Sequence, residues 1–161
     1  MDAKGMRVDE LEISDRVAEA LNDVGFIVLH PPQAQAIPIA LSGRNLVAAI
    51  PTASGKSLIG YIPALQTIVE KHRKVLYIVP LKALASEKKD DFDRFANLRI
   101  RTHLSTGDLD SEDRGLEDAD IVVATSEKAD SLMRHGSKWI ESVGLTICDE
   151  EIGRASCRER V

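Results

Sequence analysis

The chain has 161 residues, 43% of them hydrophobic and 29% charged, and it carries a net charge of −5. These values are typical of one globular domain with a buried core, and they exclude a disordered tail and a collagen-like repeat. No apolar run approaches the ~18 residues of a membrane span, and the N-terminus lacks the apolar core of a signal peptide. We therefore expect a cytoplasmic protein without a membrane partner. Because its overall charge is negative, any nucleic-acid contact must depend on a local surface or on residues missing from this sequence.

Residues 151–161 differ from the rest of the chain, because the aliphatic periodicity stops and three of the eleven residues are Arg. The in-frame codons of a common short-read sequencing adapter would encode all eleven residues in order. We therefore expect a non-native tail at 151–161, with the native reading frame cut near residue 150. A natural basic tail is the alternative, and a genomic read that retains residues 153–155 would establish it. Without the tail, Cys148 is the single cysteine, and we expect it to be buried in a strand.

Capping residues and hydrophobic periodicity predict the elements. Ser14 predicts the start of a helix that ends at Gly25, and Pro31 predicts the start of a second helix, which Pro38 kinks or breaks. In chain order we predict a flexible N-terminus at 1–12, these two helices up to residue 43, a strand at 45–50, a loop at 51–57, a helix at 58–71, a strand at 74–79, a helix at 81–95, strands at 99–104 and 119–124, a helix at 127–135 and a strand at 143–148.

Strands and helices alternate over residues 13–150, and several strands are nearly continuous aliphatic runs, most clearly 76–79 and 121–124. Such runs are typical of strands that are covered on both faces, as in a parallel sheet. The predicted fold class is therefore α/β, with a doubly wound parallel sheet and helices on both of its faces. In such sheets ligands bind beyond the carboxyl ends of the strands, and functional residues are expected there.

The loop after the predicted strand 45–50 carries a phosphate-binding pattern. It reads Pro51-Thr52-Ala53-Ser54-Gly55-Lys56-Ser57 and leads into a helix, which is the context that a Walker A motif requires. Gly55 lets backbone amides approach phosphate oxygens, Lys56 can reach the β- and γ-phosphates, and Ser57 can bind Mg²⁺. The strict pattern has Gly where this chain has Ile50. A chance Gly-Lys-Ser tripeptide at a helix start is the alternative.

Two acidic residues, Asp149 and Glu150, follow the predicted strand 143–148. An Asp at the end of an apolar strand has the placement of a Walker B acid, which would hold Mg²⁺ beside Ser57. Glu150 would orient and deprotonate the water that attacks the γ-phosphate of ATP. An ordinary polar strand end is the alternative, and the phosphate loop upstream favours the catalytic interpretation.

With these two motifs the sequence resembles superfamily 2 helicases, and it is most similar to the Ski-like branch and its archaeal Hjm-type DNA repair helicases. Further segments agree: 31–36 resembles the Q motif, 80–88 motif Ia, 106–108 the short Gly-Asp motif and 125–128 motif Ib. The branch assignment depends on Ala53, where many helicases have Gly. It also depends on the extended motif Ia at 80–88 and on the sequence Thr-Ser-Glu-Lys of motif Ib at 125–128. The resemblance covers most of residues 10–150. It implies a RecA-like P-loop NTPase lobe, truncated before its end.

The resemblance also implies roles for individual residues. Gln33 would read the adenine edge of ATP, although it could simply be a polar residue in the first turn of a helix. The backbone of the translocating strand would be contacted by Pro80, Lys82, Thr106, Gly107, Thr125 and Ser126. Lys82 and Lys88 could instead be solvated helix charges, and Thr125 and Ser126 could instead only cap the next helix.

The family's motif II continues Asp-Glu-x-His, whereas Ile152 stands at the His position, where the adapter-like residues begin. We expect the second RecA-like lobe of the family, with its arginine finger, to lie outside this sequence. The resemblance implies an ATP-dependent helicase, with ATP and Mg²⁺ as cofactors, that acts on single-stranded or forked DNA in repair or at stalled forks, at the nucleoid. An RNA helicase and a nucleotide-binding module without motor activity are the alternatives. A small-molecule P-loop kinase would leave motifs Ia and Ib unexplained.

Overall fold

The computed structural model describes residues 5–51, 55–107, 115–136 and 138–149. The predictions for Thr52, Ala53, Ser54, Glu150 and the tail 151–161 lie outside these residues. The chain divides into two compact units. The first unit comprises Met1–His72 and Arg94–Arg99, and the second comprises Arg73–Asp93 and Ile100–Val161.

The first unit is built mainly of helices in its described part. Its elements are a 3-10 helix at Val8–Glu10, α1 at Asp15–Val24, α2 at Pro31–Leu41, α3 at Ser57–Val69 and a second 3-10 helix at Ala96–Leu98. The ends of α1 confirm the prediction. The Ser14 Oγ accepts a hydrogen bond from Val17 N (3.3 Å), and Gly25 is left-handed with φ +101°. α1 therefore begins and ends where its capping residues place it.

Residues 5–12 pack against the rest of the first unit, whereas their polar composition predicts a flexible segment. Val8 and Leu11 are buried, and Val8 N donates a hydrogen bond to the Ile27 carbonyl oxygen (3.0 Å). Two apolar side chains three residues apart anchor this otherwise polar stretch. The mean composition of the segment does not show that spacing, which is why the prediction differs from the structure.

α2 and α3 each continue through a proline, Pro38 in α2 and Pro63 in α3. Of the two outcomes expected at Pro38, a kink or a break, the break does not occur. Proline removes one N–H from the helix ladder, and Ser42 N still donates to the Pro38 carbonyl oxygen (3.1 Å) in the next turn. Most residues of α3 are buried. Even so, no helix among the described residues has the length and apolar character that a membrane span requires.

Residues 45–50 do not form the strand that their apolar run predicts. They adopt no regular secondary structure, and the Val47 side chain is 96% exposed. A strand exists only when its backbone groups pair with a neighbouring strand, and apolar composition does not supply that neighbour. Among the described residues no strand pairs with 45–50. The prediction of a strand before the phosphate loop is therefore wrong.

The second unit contains a four-stranded parallel sheet with helices. Its elements are β1 at Lys74–Val79, α4 at Lys82–Asp93, β2 at Thr102–Ser105, β3 at Ile121–Thr125, α5 at Ser126–Arg134, α6 at Lys138–Glu141 and β4 at Val143–Cys148. The strand order is β2-β3-β1-β4, and all three pairings are parallel. β1 and β4 have the predicted bounds, whereas β2 and β3 begin later than predicted. The α/β class with a parallel sheet is confirmed.

Helices pack on both faces of this sheet. On one face the Tyr77 ring meets the Phe92 ring of α4 edge-on, with ring centroids 5.6 Å apart. On the other face Leu76 belongs to a buried cluster that includes residues of α5. Trp139 of α6 joins this cluster, and its Nε1 donates to the Ala119 carbonyl oxygen (2.9 Å). Because successive strand residues point to opposite faces, Tyr77 and Leu76 place α4 and α5 on opposite sides.

β4 is the outermost strand on its side of the sheet among the described residues, since it pairs with β1 alone. Its residues alternate between half-buried and exposed, and Cys148 is exposed. The prediction of a buried Cys148 is therefore wrong. The physical reason is that an edge strand is covered less completely than a central strand.

Candidate functional site

In the first unit, the phosphate loop ends in a left-handed turn that leads into α3. Gly55 has φ +63°, Lys56 follows in the right-handed helical conformation, and Ser57 is the first residue of α3. Leu58 N donates to the Gly55 carbonyl oxygen (3.2 Å), which closes the turn. The positive φ favours glycine at this position. The N-terminus of α3 offers backbone N–H groups and a positive dipole end to an anion.

The buried Gln33 side chain of α2 holds this turn. Its Nε2 donates to the Gly55 carbonyl oxygen (2.8 Å), and its Oε1 accepts from His30 N (2.8 Å). A Cβ at residue 55 would lie 2.7 Å from Gln33 Nε2, which is a second reason for glycine. Sequence reasoning assigned Gln33 to adenine and missed this contact, because a polar residue at a helix start carries no signal of a partner distant in sequence.

In the second unit, the predicted functional residues follow the carboxyl ends of the parallel strands. Pro80 and Lys82 follow β1, Thr106 and Gly107 follow β2, Thr125 and Ser126 stand at the junction of β3 and α5, and Asp149 follows β4. The register pairs Val79 with Thr125 and Ile78 with Cys148, so the strands end at one edge of the sheet. Ligands of parallel α/β sheets bind at this edge.

These residues differ in how far they are open to a ligand. The exposed ones are Pro80, Lys82, Gly107 and Ser126. Thr106 is half-buried, and Thr125 is buried. Thr125 occupies the N-cap position of α5, but its side chain makes no capping hydrogen bond. The alternative in which Thr125 serves only as a cap therefore finds no support in its hydrogen bonding.

Asp149, the predicted Walker B acid, is held by β1 and α4. Its backbone N donates to the Ile78 carbonyl oxygen (2.9 Å), which extends the pairing of β4 with β1. Its Oδ2 accepts a hydrogen bond from the Tyr77 hydroxyl (2.5 Å) and lies 3.4 Å from the Lys88 ammonium. The Asp149 side chain is 14% exposed. Two contacts thus orient a carboxylate that is only slightly open to solvent.

The interpretation of Lys88 as a solvated charge on a helix surface is wrong. Its side chain is 9% exposed, and its ammonium also lies 3.8 Å from the exposed Glu87 carboxylate. Phe92, one helical turn further along α4, contacts the Tyr77 ring, so both residues lie on the face of α4 that meets β1. The ion pair with Asp149 joins residues far apart in sequence, and no local pattern predicts it.

Each unit carries groups of its own that suit phosphate or Mg²⁺: the first unit has the Lys56 ammonium and the Ser57 hydroxyl, and the second unit has the Asp149 carboxylate. An ammonium at a helix N-terminus suits phosphate oxygens, whereas hydroxyl and carboxylate oxygens suit Mg²⁺. Within the described ranges, no group of three or more His, Cys, Asp or Glu side chains is arranged to hold a metal ion. In nucleotide sites Mg²⁺ generally takes most of its ligands from phosphates and water.

Comparison with known proteins extends these observations over most of the chain. Residues 30–151 match the profile of the DEAD/DEAH box helicase family. The ATP-dependent DNA helicase Hel308 of Pyrococcus abyssi is 47% identical over 146 residues, and that of Methanocella arvoryzae is 46% identical over 151 residues. Each match covers 90% of this chain and 20% of the relative, so the chain spans about a fifth of the length of these curated relatives.

Solved structures show the same architecture. The DUF1998 helicase MrfA bound to DNA and AMPPNP superposes with a TM-score of 0.75 at 28% identity, over 86% of this chain and 21% of that chain. A second crystal structure of the DUF1998 helicase MrfA gives a TM-score of 0.74 at 27% identity, over 86% of this chain and 24% of that chain. This likeness agrees with the RecA-like lobe that the sequence motifs imply.

Proposed function

Because the chain belongs to the DEAD/DEAH box helicase family, we propose that it is the ATP-binding lobe of an ATP-dependent DNA helicase, active in DNA repair or at stalled forks. The observation that carries the proposal is the turn from Gly55 through Lys56 to Ser57 at the start of α3. It offers an ammonium, a hydroxyl and helix N–H groups to a triphosphate. The relatives named as DNA helicases and the neighbour described with DNA and AMPPNP favour DNA over RNA.

Each predicted site residue has a role in this proposal. ATP, with Mg²⁺, supplies the free energy of γ-phosphate hydrolysis. Lys56 would hold the β- and γ-phosphates, with the loop 51–55 around them, while Ser57 and Asp149 would be ligands of Mg²⁺. Gln33 would contact the adenine edge. Glu150 would take the proton of the attacking water at its carboxylate.

The carboxyl edge of the second unit's sheet is the proposed contact surface for single-stranded or forked DNA. Its contact residues would be Pro80, Lys82, Thr106, Gly107, Thr125 and Ser126. The exposed Lys82 ammonium would pair with a phosphate, and the N-terminus of α5 at Ser126 also favours phosphate. Contacts to the phosphate backbone carry no sequence information, which suits an enzyme that moves along any sequence. A DNA substrate would place the protein at the nucleoid, in the cytoplasm.

We also propose that a second RecA-like lobe completes the ATP site and that residues 151–161 take no part in it. An arginine finger contributes about 10³- to 10⁵-fold to phosphoryl transfer. Residues 1–150 alone should therefore bind nucleotide weakly and hydrolyse little. Fast ATP turnover by purified residues 1–150 would contradict this view.

The decisive experiment is strand displacement by the full-length gene product on forked DNA and on a matched RNA duplex. Lys56→Ala should lower ATP-dependent unwinding by about 100-fold or more, because it removes the cation at the phosphates. Lys71→Ala is the matched control, since Lys71 is an exposed lysine just beyond the end of α3. Full activity of Lys56→Ala would refute the proposal. Preferential unwinding of the RNA duplex would support the alternative of an RNA helicase. ATP binding without unwinding would support the alternative of a nucleotide-binding module without motor activity.

A further inference from the structure

We propose that Lys88 is the internal counter-ion of Asp149 and that it weakens the affinity of this carboxylate for its divalent metal. The inference rests on the proposed function, in which Asp149 is a magnesium ligand. Lys88 would act through Asp149 and is in this sense a positioning residue, a role separate from the strand contact that motif Ia implies for its segment.

The first support is burial. The Lys88 and Asp149 side chains are 9% and 14% exposed, and their charged atoms lie 3.4 Å apart. A carboxylate shielded from water in this way requires a positive partner. Glu87, a second carboxylate near the ammonium, is 62% exposed and lies at 3.8 Å. Asp149 is therefore closer to the Lys88 ammonium and more buried than Glu87.

The second support is that one neutral group and one positively charged group contact the Asp149 carboxylate. The Tyr77 hydroxyl and the Lys88 ammonium both contact Oδ2. Tyr77 is neutral, so it orients the carboxylate without reducing its charge. Lys88 cancels that charge and would repel a dication that approaches the same group. Removal of Lys88 should therefore tighten metal binding, whereas removal of the Tyr77 hydroxyl should loosen it.

The chain supplies a matched control on the same helix. Lys89 is the next residue of α4, and it pairs with Asp93 at 2.5 Å in a more exposed position. Lys88→Met and Lys89→Met change the net charge equally, so any general effect of charge on nucleotide or metal binding is the same in both. Lys88→Arg keeps the positive charge near Asp149 and tests whether charge, rather than the lysine itself, is required.

The experiment measures the affinity of the full-length gene product for MANT-ADP by fluorescence in Mg²⁺ and in EDTA. The dissociation constant in EDTA divided by the dissociation constant in Mg²⁺ reports how strongly the protein recognises the metal. We expect Lys88→Met to raise this ratio about three- to tenfold. Lys89→Met and Lys88→Arg should keep the wild-type ratio, and Tyr77→Phe should lower it. An unchanged or lowered ratio in Lys88→Met would overturn the proposal.

A stability measurement keeps the test decisive if Lys88→Met folds poorly. In EDTA this variant should have a Tm lower by about 5 °C or more, because it leaves the Asp149 charge without its partner. Lys88→Met combined with Asp149→Asn should recover most of that loss. Failure of the double variant to recover, or no loss in the single one, would refute the counter-ion pair. If the wild-type full-length gene product takes up no MANT-ADP in Mg²⁺, the proposed function fails, and the Tm comparison in EDTA still decides the pair.

Discussion

The Gly55 turn of the first unit and the Asp149 carboxylate of the second unit are positioned by different kinds of interaction. At Gly55 the geometry depends mainly on the backbone, through a φ of +63° and a hydrogen bond from Leu58 N, and the one side chain described there, Gln33, bonds to the backbone carbonyl oxygen of Gly55. At Asp149 two side chains determine it, Tyr77 from β1 and Lys88 from α4. A backbone-determined position tolerates almost no substitution, whereas a position determined by side chains can be adjusted one contact at a time.

The largest effect is expected at Gly55. In Gly55→Ala the added Cβ would lie 2.7 Å from Gln33 Nε2 at a positive φ. We expect MANT-ADP affinity to fall about tenfold or more and the free energy of unfolding to fall by about 2–4 kcal/mol. Gly43→Ala is the control, since Gly43 also has a positive φ (+80°) but nothing within 4 Å of an added Cβ. Equal losses in both variants would mean that the close approach of Gln33 is unimportant.

A smaller effect is expected at the Asp149 cluster. Tyr77→Phe keeps the ring against Phe92 and removes the hydroxyl that donates to Oδ2. Hydrogen bonds to charged groups contribute about 1.5–3 kcal/mol, so the free energy of unfolding in urea should fall by about that amount. The loss should be smaller in an Asp149→Asn background, where the acceptor is uncharged. The same loss in both backgrounds would show that Tyr77 stabilises the fold independently of Asp149.

The cap of α1 tests a single local contact in the first unit. Ser14→Ala removes the Oγ that accepts from Val17 N and leaves the bond from Ser14 N to Gln66 Oε1 intact. We expect a loss of about 1 kcal/mol in urea unfolding. Ser42→Ala, at the exposed C-terminal end of α2, should cost less than about 0.5 kcal/mol. If Ser42→Ala costs as much, the start of α1 does not depend on its cap.

The smallest expected effect is a shift of one pKa. Hydrogen bonds from Asn22, and then from Arg7, lower the pKa of Asp9 below its ordinary 3.8. A lowered pKa stabilises the fold above that ordinary value, and the contribution is lost as the pH falls through the lower folded-state pKa. Asn22→Ala should raise the pKa of Asp9 towards 3.8 in an NMR titration. Asn97→Ala, which removes a similar bond to Asp23, should leave it unchanged. No shift in Asn22→Ala would assign the lowering to Arg7 alone.

Elements were predictable from the sequence where the signal is local. The Ser14 cap and the Gly25 stop delimit α1, and the apolar residues of β1 and β4 predict both strands with the bounds that the structure has. The strand at 45–50 was mispredicted, because pairing depends on a neighbour rather than on the run itself. The contact of Lys88 with Asp149 was missed for the same reason. Each local pattern is satisfied by many distant partners, and only the folded chain selects one.

Trp139 gives the second unit a built-in optical probe. It is the single tryptophan of the chain, and it is 3% exposed with its indole N–H bonded to Ala119. Its fluorescence should shift to longer wavelength when the second unit opens to water, while circular dichroism follows the helices of the first unit as well. Coincident transitions would mean that the two units unfold cooperatively, and separate transitions would give each unit its own midpoint without an engineered label.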